Sequence, residues 1–322
     1  MSSPLEPSAS PVVQASATDQ AAVAEAEGAT ELIGVDLGGT AIKLGRFDRL
    51  GTLLAEAEVP TPKPAMPGAV SVVIAEAIDA LDPDQRAGLV GIGLPGPTDA
   101  AARIARISIN LPGWVDVPLA DWLEPRLERR VTLANDANCA LVGEAWRGAA
   151  RGCEDTILLT LGTGVGGAIL LGGELFTGHG GAAGELGLIG LDPDGPACRS
   201  GNRGSLEQHC SISGLARLSP LEPPELSRLA AAGDPEAQAV WDRYGQLLGI
   251  GLSSLIYVLT PRRVLIGGGL SAAFDHFLPA LRRELEERVL AVSREGVEIR
   301  PCALGNGAGR LGAARLALQR LG

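Results

Sequence analysis

Two segments of the chain, residues 32–47 and 156–171, carry the same pattern: an apolar run, a glycine-rich break, and a second apolar run. The first reads Glu31-Leu32-Ile33-Gly34-Val35-Asp36, breaks at Gly38-Gly39-Thr40, and resumes from Ala41 to Phe47. The second runs from Thr156 to Leu161, breaks at Gly162-Thr163-Gly164-Val165-Gly166-Gly167, and resumes from Ala168 to Leu171. Strand, glycine turn, strand is a hairpin pattern. The repeat is weak; two α/β halves that each present such a glycine hairpin toward a shared cleft would suit a phosphate-transferring enzyme. The alternative is a pair of unrelated hairpins. A length of 322 residues agrees with two domains rather than one.

The remaining pattern fits α/β halves. Leu53 to Val59 reads as a third strand, and Thr61-Pro62-Lys63-Pro64 as a linker. Ala69 to Leu81 places Val70, Val73, Ile74 and Ile78 on one helical face. Leu89 to Leu94 is a buried strand that runs into Pro95-Gly96-Pro97, and Val131 to Ala134 a short strand ending at Asn135-Asp136. In the second half a helix starts at Asp234-Pro235-Glu236, with Asp234 as its N-cap. Val264-Leu265-Ile266 is a strand stopped by Gly267-Gly268-Gly269, and Phe277–Leu290 and Arg310–Leu321 read as amphipathic helices. Residues 1–30 hold few large apolar side chains and are expected to form a flexible tail.

Charge and cysteine usage narrow the function. Lys plus Arg number 27 against 38 Asp plus Glu, a net charge of −11. Nucleic acid or an anionic membrane needs a basic stripe, so neither is expected as a partner. The five cysteines are widely spaced and odd in number, with no C-x-x-C, which fits a reducing compartment better than a disulfide framework. The N-terminal stretch has neither the basic start nor the apolar block of a signal peptide. The uncharged run from Tyr244 to Pro261 is interrupted by glycines and serines and reads as a buried helix. A soluble, cytoplasmic protein is expected.

The glycine turns suggest anion binding. Gly38 and Gly39 let backbone N–H groups approach a phosphate, and Thr40 adds a hydroxyl donor. Asp36 would repel a bare phosphate, so its place there makes sense with Mg²⁺ or ordered water between them. Lys43, three residues past Thr40, could reach the same anion; a tight turn with an Asp cap is the other reading. Gly162, Gly164 and Gly167 spell G-x-G-x-x-G, but a dinucleotide fold needs a helix to start inside that string. Here a strand follows, which disfavours a nicotinamide dehydrogenase. No Gly-Lys pair exists, so the Walker pattern is absent. Asn135-Asp136 could equally be a helix N-cap pair, Glu207 a first-turn helix acid, Glu185 a surface residue, and Asn110 a turn residue before Pro112.

Eight strings in one order carry a resemblance: Asp36 to Thr40, Gly93 to Pro97, Asn110 to Trp114, Asn135 to Asn138, Leu161 to Gly167, Gly181 to Glu185, Gly204 to Glu207 and Ile266 to Gly269. Together they resemble the ROK sugar kinases of the actin–hexokinase superfamily, from about Glu31 to Gly322. The resemblance implies an α/β fold of two ribonuclease-H-like domains around a central cleft. It places residues 31–137 plus 306–322 in a smaller N-terminal domain and 138–305 in a larger C-terminal one. It implies ATP and Mg²⁺ as cofactors and a hexose as substrate, with glucose to glucose 6-phosphate the first expectation. Fructose, mannose and N-acyl hexosamines are the alternatives. By resemblance, Asp36, Gly38, Gly39, Thr40, Lys43, Gly162, Thr163 and Gly164 hold the phosphates. Gly267, Gly268 and Gly269 lie near the adenosine. Asn110, Asn135, Asp136, Glu185 and Glu207 line the sugar, with Asp136 as catalytic base. A homodimer is the family habit.

The chain departs from the family at one place. Many members carry G-E-x-G-H and then C-x-C-G-x-x-G-C, whose histidine and three cysteines hold a structural zinc. Here Leu188 stands for the histidine, and Ser200 and Ser205 for two of the cysteines, leaving Cys198. A tetrahedral site needs four N or S donors, so no zinc is expected, and the loop from Leu188 to Ser205 must hold itself by packing and hydrogen bonds. A sugar-sensing regulator is the reading from another class. It is disfavoured because only about thirty residues, none of them basic, precede Glu31. Polyphosphate in place of ATP stays open, since a glycine turn does not distinguish phosphate chains.

Overall fold

A computed structural model describes residues 31–321, so the expectation for residues 1–30 lies outside the described chain. The first half contains β1 (Glu31–Leu37), β2 (Ala41–Asp48), β3 (Leu53–Pro60), α1 (Pro67–Leu81), β4 (Ala87–Leu94), β5 (Ala105–Ile107) and β6 (Val115–Val117). It continues with α2 (Leu119–Leu127), β7 (Arg130–Asn135) and α3 (Asp136–Arg147). The second half opens with β8 (Thr156–Leu161), β9 (Val165–Leu171), β10 (Glu174–Leu175), α4 (Leu206–Cys210), α5 (Ile212–Leu215) and α6 (Pro223–Ala231). It closes with α7 (Pro235–Leu259), β11 (Arg263–Gly267), α8 (Phe274–Arg288), α9 (Ala291–Arg294), β12 (Glu298–Pro301) and α10 (Ala308–Leu321).

The repeat seen in the hairpins extends to whole sheets. The first sheet has the order β3-β2-β1-β4-β7 and the second β10-β9-β8-β11-β12. In each, a hairpin (β1–β2, β8–β9) pairs antiparallel, and two further strands add in parallel on the other side. The parallel strands β4, β7 and β11 are buried along nearly their whole length, because helices cover both faces, while the edge strand β12 is not.

In the first sheet, α1 and α2 pack on one face around Ile33, Val35, Ile74, Ile92 and Leu123. The other face is covered by α10, the last helix, which packs against β1, β4 and α3. That approach depends on missing side chains. A Cβ on Gly34 would fall 1.7 Å from the Arg310 carbonyl oxygen, and one on Gly312 would fall 1.7 Å from that of Cys139. In the second half, α7 and α8 bury Trp241, Tyr244, Leu248 and Phe277 against β8, β9 and β11. Asp234 caps α7, accepting the N–H groups of Glu236 and Ala237 at 3.0 and 2.9 Å. The uncharged run ending at Pro261 lies largely in α7, where Tyr244, Leu248, Leu252 and Ile256 are buried. No helix among the described residues is long and apolar enough to cross a membrane.

Candidate active site

The site begins where β7 becomes α3. Asn135 ends the strand in extended conformation and its Oδ1 accepts the N–H groups of Ala137 and Asn138 at 2.9 and 3.2 Å. Its Nδ2 donates to the Gly96 carbonyl at 3.3 Å, tying α3 to the proline loop after β4. The N-cap reading of Asn135 therefore holds, and only one amide hydrogen of its side chain is left for another partner. Asp136 is the first residue of the helix, and its Oδ1 accepts the Ala137 N–H at 2.8 Å. Burial pushes the Asp136 carboxyl up to about 6, against the opposing pull of that N–H; the charges of Asp36 and Glu185 add to the rise.

Those charges mark its neighbours. Asp36 sits opposite Lys43 in the first hairpin and beside Gly93 of β4. Its carboxylate lies over the first turn of α10, where a Cβ on Gly309 would meet Oδ2 at 2.9 Å. Burial raises its pKa, while Lys43 and then Arg310 pull it back down. Lys43 lines a cavity of about 310 Å³ with Arg310, Asn306 and Glu58. The Gly38-Gly39-Thr40 turn that follows is braced from outside the hairpin: the Thr61 hydroxyl donates to the Gly38 carbonyl at 2.7 Å, and the Thr61 N–H to that of Thr40 at 3.0 Å. Thr61, read in sequence as part of a linker, thus shapes the first glycine turn. Neither it nor Arg310 belongs to any recognisable string.

On the other side stand two glutamates. Glu185 is solvent-accessible yet recessed enough that desolvation, and then the Glu207 charge, raises its carboxyl. Glu207 lies in the first turn of α4, and its Oε2 accepts the Val165 N–H at 3.1 Å. Val165 follows Gly164, so Glu207 is fixed to the second glycine turn. The Gly162 carbonyl in turn accepts the Ile212 N–H at 2.8 Å. Gly267 pairs with Thr160 at the end of β8, bringing the exposed Gly268 and Gly269 beside the Gly162–Gly164 turn. Asp36, Asp136, Glu185 and Glu207 thus run as one series of carboxylates from the first glycine turn to the second.

Asn110 is exposed on the β5–β6 loop, and Arg199 Nη1 donates to its Oδ1 at 3.4 Å. The adjacent Cys198 Sγ lies 3.9 Å from Glu207 Oε1, which connects Asn110 to the carboxylate series through two neighbouring residues. Trp114 is buried, donating its Nε1–H to the Ala65 carbonyl at 2.8 Å, so it packs rather than facing the crevice.

The segment that carries zinc in many ROK members is laced by backbone bonds. Gly204 accepts the N–H groups of Leu191 and Asp192 at 2.8 and 3.1 Å, Cys198 donates to Asn202 at 2.8 Å, and Leu206 to Ile189 at 2.9 Å. Asn202 Nδ2 donates to the Leu188 carbonyl at 2.7 Å. Ser205 has become the N-cap of α4. Among the described residues, no group of three or more His, Cys, Asp and Glu side chains is arranged to hold a metal ion.

The chain matches the family model described as ROK family over residues 32–320. It is 34% identical over 314 residues to a protein named glucokinase from Halalkalibacterium halodurans, covering 89% of this chain and 95% of that one. It is 37% identical over 307 residues to a protein named N-acetyl-D-glucosamine kinase from Escherichia fergusonii, covering 88% and 98%. The crystal structure of a ROK family glucokinase from Streptomyces griseus, in complex with glucose and AMPPNP, superposes with a TM-score of 0.78 at 32% identity, covering 90% of this chain and 99% of that one. The chain belongs to the ROK family, and its two sheets are those of a sugar kinase of the actin–hexokinase type.

Proposed function

We propose that this ROK-family sugar kinase transfers the γ-phosphoryl group of ATP to a hydroxyl of a hexose, with glucose as the first substrate and Asp136 as the base. The observation that carries this reading is the placement of Asp136. It is a carboxylate with a pKa near 6, at the mouth of a helix, within one row of acids that reaches both glycine turns.

The chemistry follows from the free atoms. Asp136 Oδ1 is occupied by the Ala137 N–H, so Oδ2 is the oxygen available to a sugar hydroxyl. As that hydroxyl oxygen bonds to the γ-phosphorus, its proton passes to Oδ2 and the bond to the ADP oxygen breaks, ADP leaving with the electron pair. A base with a pKa near 6 is ionised at neutral pH and still basic enough to take a proton late in the transfer. Glu185 and the unused lone pairs of Glu207 accept hydrogen bonds from further hydroxyls, which fixes the sugar's orientation. Asn135 adds its remaining amide hydrogen and Asn110 its side chain from the other rim.

The backbone N–H groups of the two glycine turns, with Thr40, Thr163 and Lys43, take the phosphates, and Gly267–Gly269 the adenosine side. The Asp36 carboxylate makes no hydrogen bond among the described residues and lies within the field of the Asp136 carboxylate, a hard oxygen donor set that fits Mg²⁺. When bound, Mg²⁺ would neutralise charge on the transferring phosphates. The five unpaired cysteines fit a reducing, cytoplasmic setting in which ATP is the donor.

The test is a sugar panel of glucose, fructose, mannose, N-acetylglucosamine and N-acetylmannosamine with Mg-ATP, read by ADP release, with polyphosphate as a second donor. Turnover fastest with glucose and ATP is expected. Silence with every sugar and both donors overturns the reading.

A further inference from the structure

Away from the carboxylate series, a cavity of about 540 Å³ opens between α3, the β9–β10 hairpin and the C-terminal part of α10. That volume is within the range that small organic ligands occupy. Its walls are of two kinds. Trp146, Leu175 and Leu316 supply apolar surface, while Arg315 and Arg320 supply guanidinium groups; Glu174 is the acid on its rim. The Arg315 guanidinium lies 5.2 Å above the Trp146 ring, a cation–π arrangement that holds its position but leaves its N–H donors free at the edge.

Neither arginine makes an ion pair or a hydrogen bond among the described residues, and Asp99 acts on Arg320 only at longer range. Several other arginines are ion-paired: Arg103 with Asp121 and Glu124, Arg129 with Asp82, Arg263 with Glu298. What sets Arg315 and Arg320 apart is that both line one concavity without an ion pair among the described residues, in a chain with 38 acids to 27 bases. A guanidinium fork matches phosphate oxygens in bidentate geometry, and an aromatic wall suits the carbon body that carries them.

We propose that this cavity binds a small organic phosphate, with Arg315 and Arg320 on its phosphate oxygens and Trp146, Leu175 and Leu316 around its body. The site is separate from the carboxylate series and its position has a consequence. Since α10 packs on the first sheet and β10 belongs to the second, one ligand there touches both halves of the molecule.

Isothermal titration of the full-length protein with fructose 1,6-bisphosphate is expected to show saturable binding at one site per chain. Arg315→Gln and Arg320→Gln should each weaken it about tenfold or more, the loss of one charge-assisted contact. Leu175→Trp, which fills the cavity, should abolish it. Asp136→Asn and Glu207→Gln should leave it unchanged, which separates this site from the proposed sugar site whether or not that reading survives. Hydrogen exchange should slow in α10 and at Glu174–Leu175 when the probe is bound. The proposal is overturned by absence of binding at millimolar probe. It is equally overturned by binding that survives both arginine changes and Leu175→Trp, by loss of binding in the Asp136 or Glu207 variant instead, or by citrate binding as tightly.

Discussion

Asp136, the first residue of α3, lies within the field of Asp36, the penultimate residue of β1, and the Asp36 charge helps to raise the Asp136 pKa. The sheet register explains the encounter. Asp36 pairs with Gly93 of β4, and Gly93 with Ala134 of β7, so the two acids lie at the same ends of the two parallel strands that flank β4. A glycine between them leaves no side chain to separate the charges. Desolvation and like charge together hold a carboxylate near neutrality, as acid–base chemistry at neutral pH needs.

That arrangement opposes stability. The folded pKa of Asp136, about 6, lies above the ordinary 3.8. The native state therefore binds this proton more tightly than the unfolded chain, and stability falls as pH rises between these values and stays reduced above them. Asp136→Asn keeps the oxygen that accepts the Ala137 N–H and removes the charge. It should be about 1–3 kcal/mol more stable than the wild type at about pH 8, with the gain disappearing near pH 4. Urea midpoints at both pH values measure this. An equal difference at both would contradict it.

Glu144 is fully buried near the end of α3 and binds three backbone N–H groups. Its Oε1 accepts from Ala303 and Leu304 at 3.0 and 2.8 Å, and its Oε2 from Ala149 at 2.6 Å. It thereby anchors the segment that leads into α10. Glu144→Ala strands those donors and should cost about 3 kcal/mol, with faster hydrogen exchange at residues 303 and 304. A loss below about 1 kcal/mol in urea unfolding would show that water replaces the carboxylate.

The loop from Leu188 to Ser205 is held by its own hydrogen bonds, with Asn202 on the Leu188 carbonyl and Ser205 capping α4. Dialysis against a chelator should leave the thermal midpoint unchanged, and elemental analysis should find no stoichiometric zinc. A lowered midpoint restored by zinc would mean that ligands outside these contacts hold a metal.

The hairpins were legible because each alternates an apolar run with a glycine break, and Asp234 because a capping acid before a proline has one common meaning. The strand order was not. Strands of two to four residues such as β10 and β12 are too short for a period, and α10 joins the first sheet through contacts 266 residues apart in sequence, as from Arg310 to Leu44. Asn135 and Asp136 allowed two readings, a helix cap and a functional pair. The structure shows the cap, with Asp136 beside it among the acids. Glu144, Thr61 and Arg310 left no local sign: a carboxylate that binds distant N–H groups looks like any helix surface acid until the chain is folded.

The most direct test of the account is the pH dependence of kcat/KM for the preferred sugar, measured beside Asp136→Asn. For the wild type, the rate should fall about tenfold per pH unit below a pKa near 6 and level off above it, because the base works only when ionised. Asp136→Asn should lose about 10²–10⁴ in kcat and the acid limb, with KM changed only a few-fold. An Asp136→Asn enzyme that keeps most of its turnover and the same acid limb would contradict the assignment of Asp136 as the base.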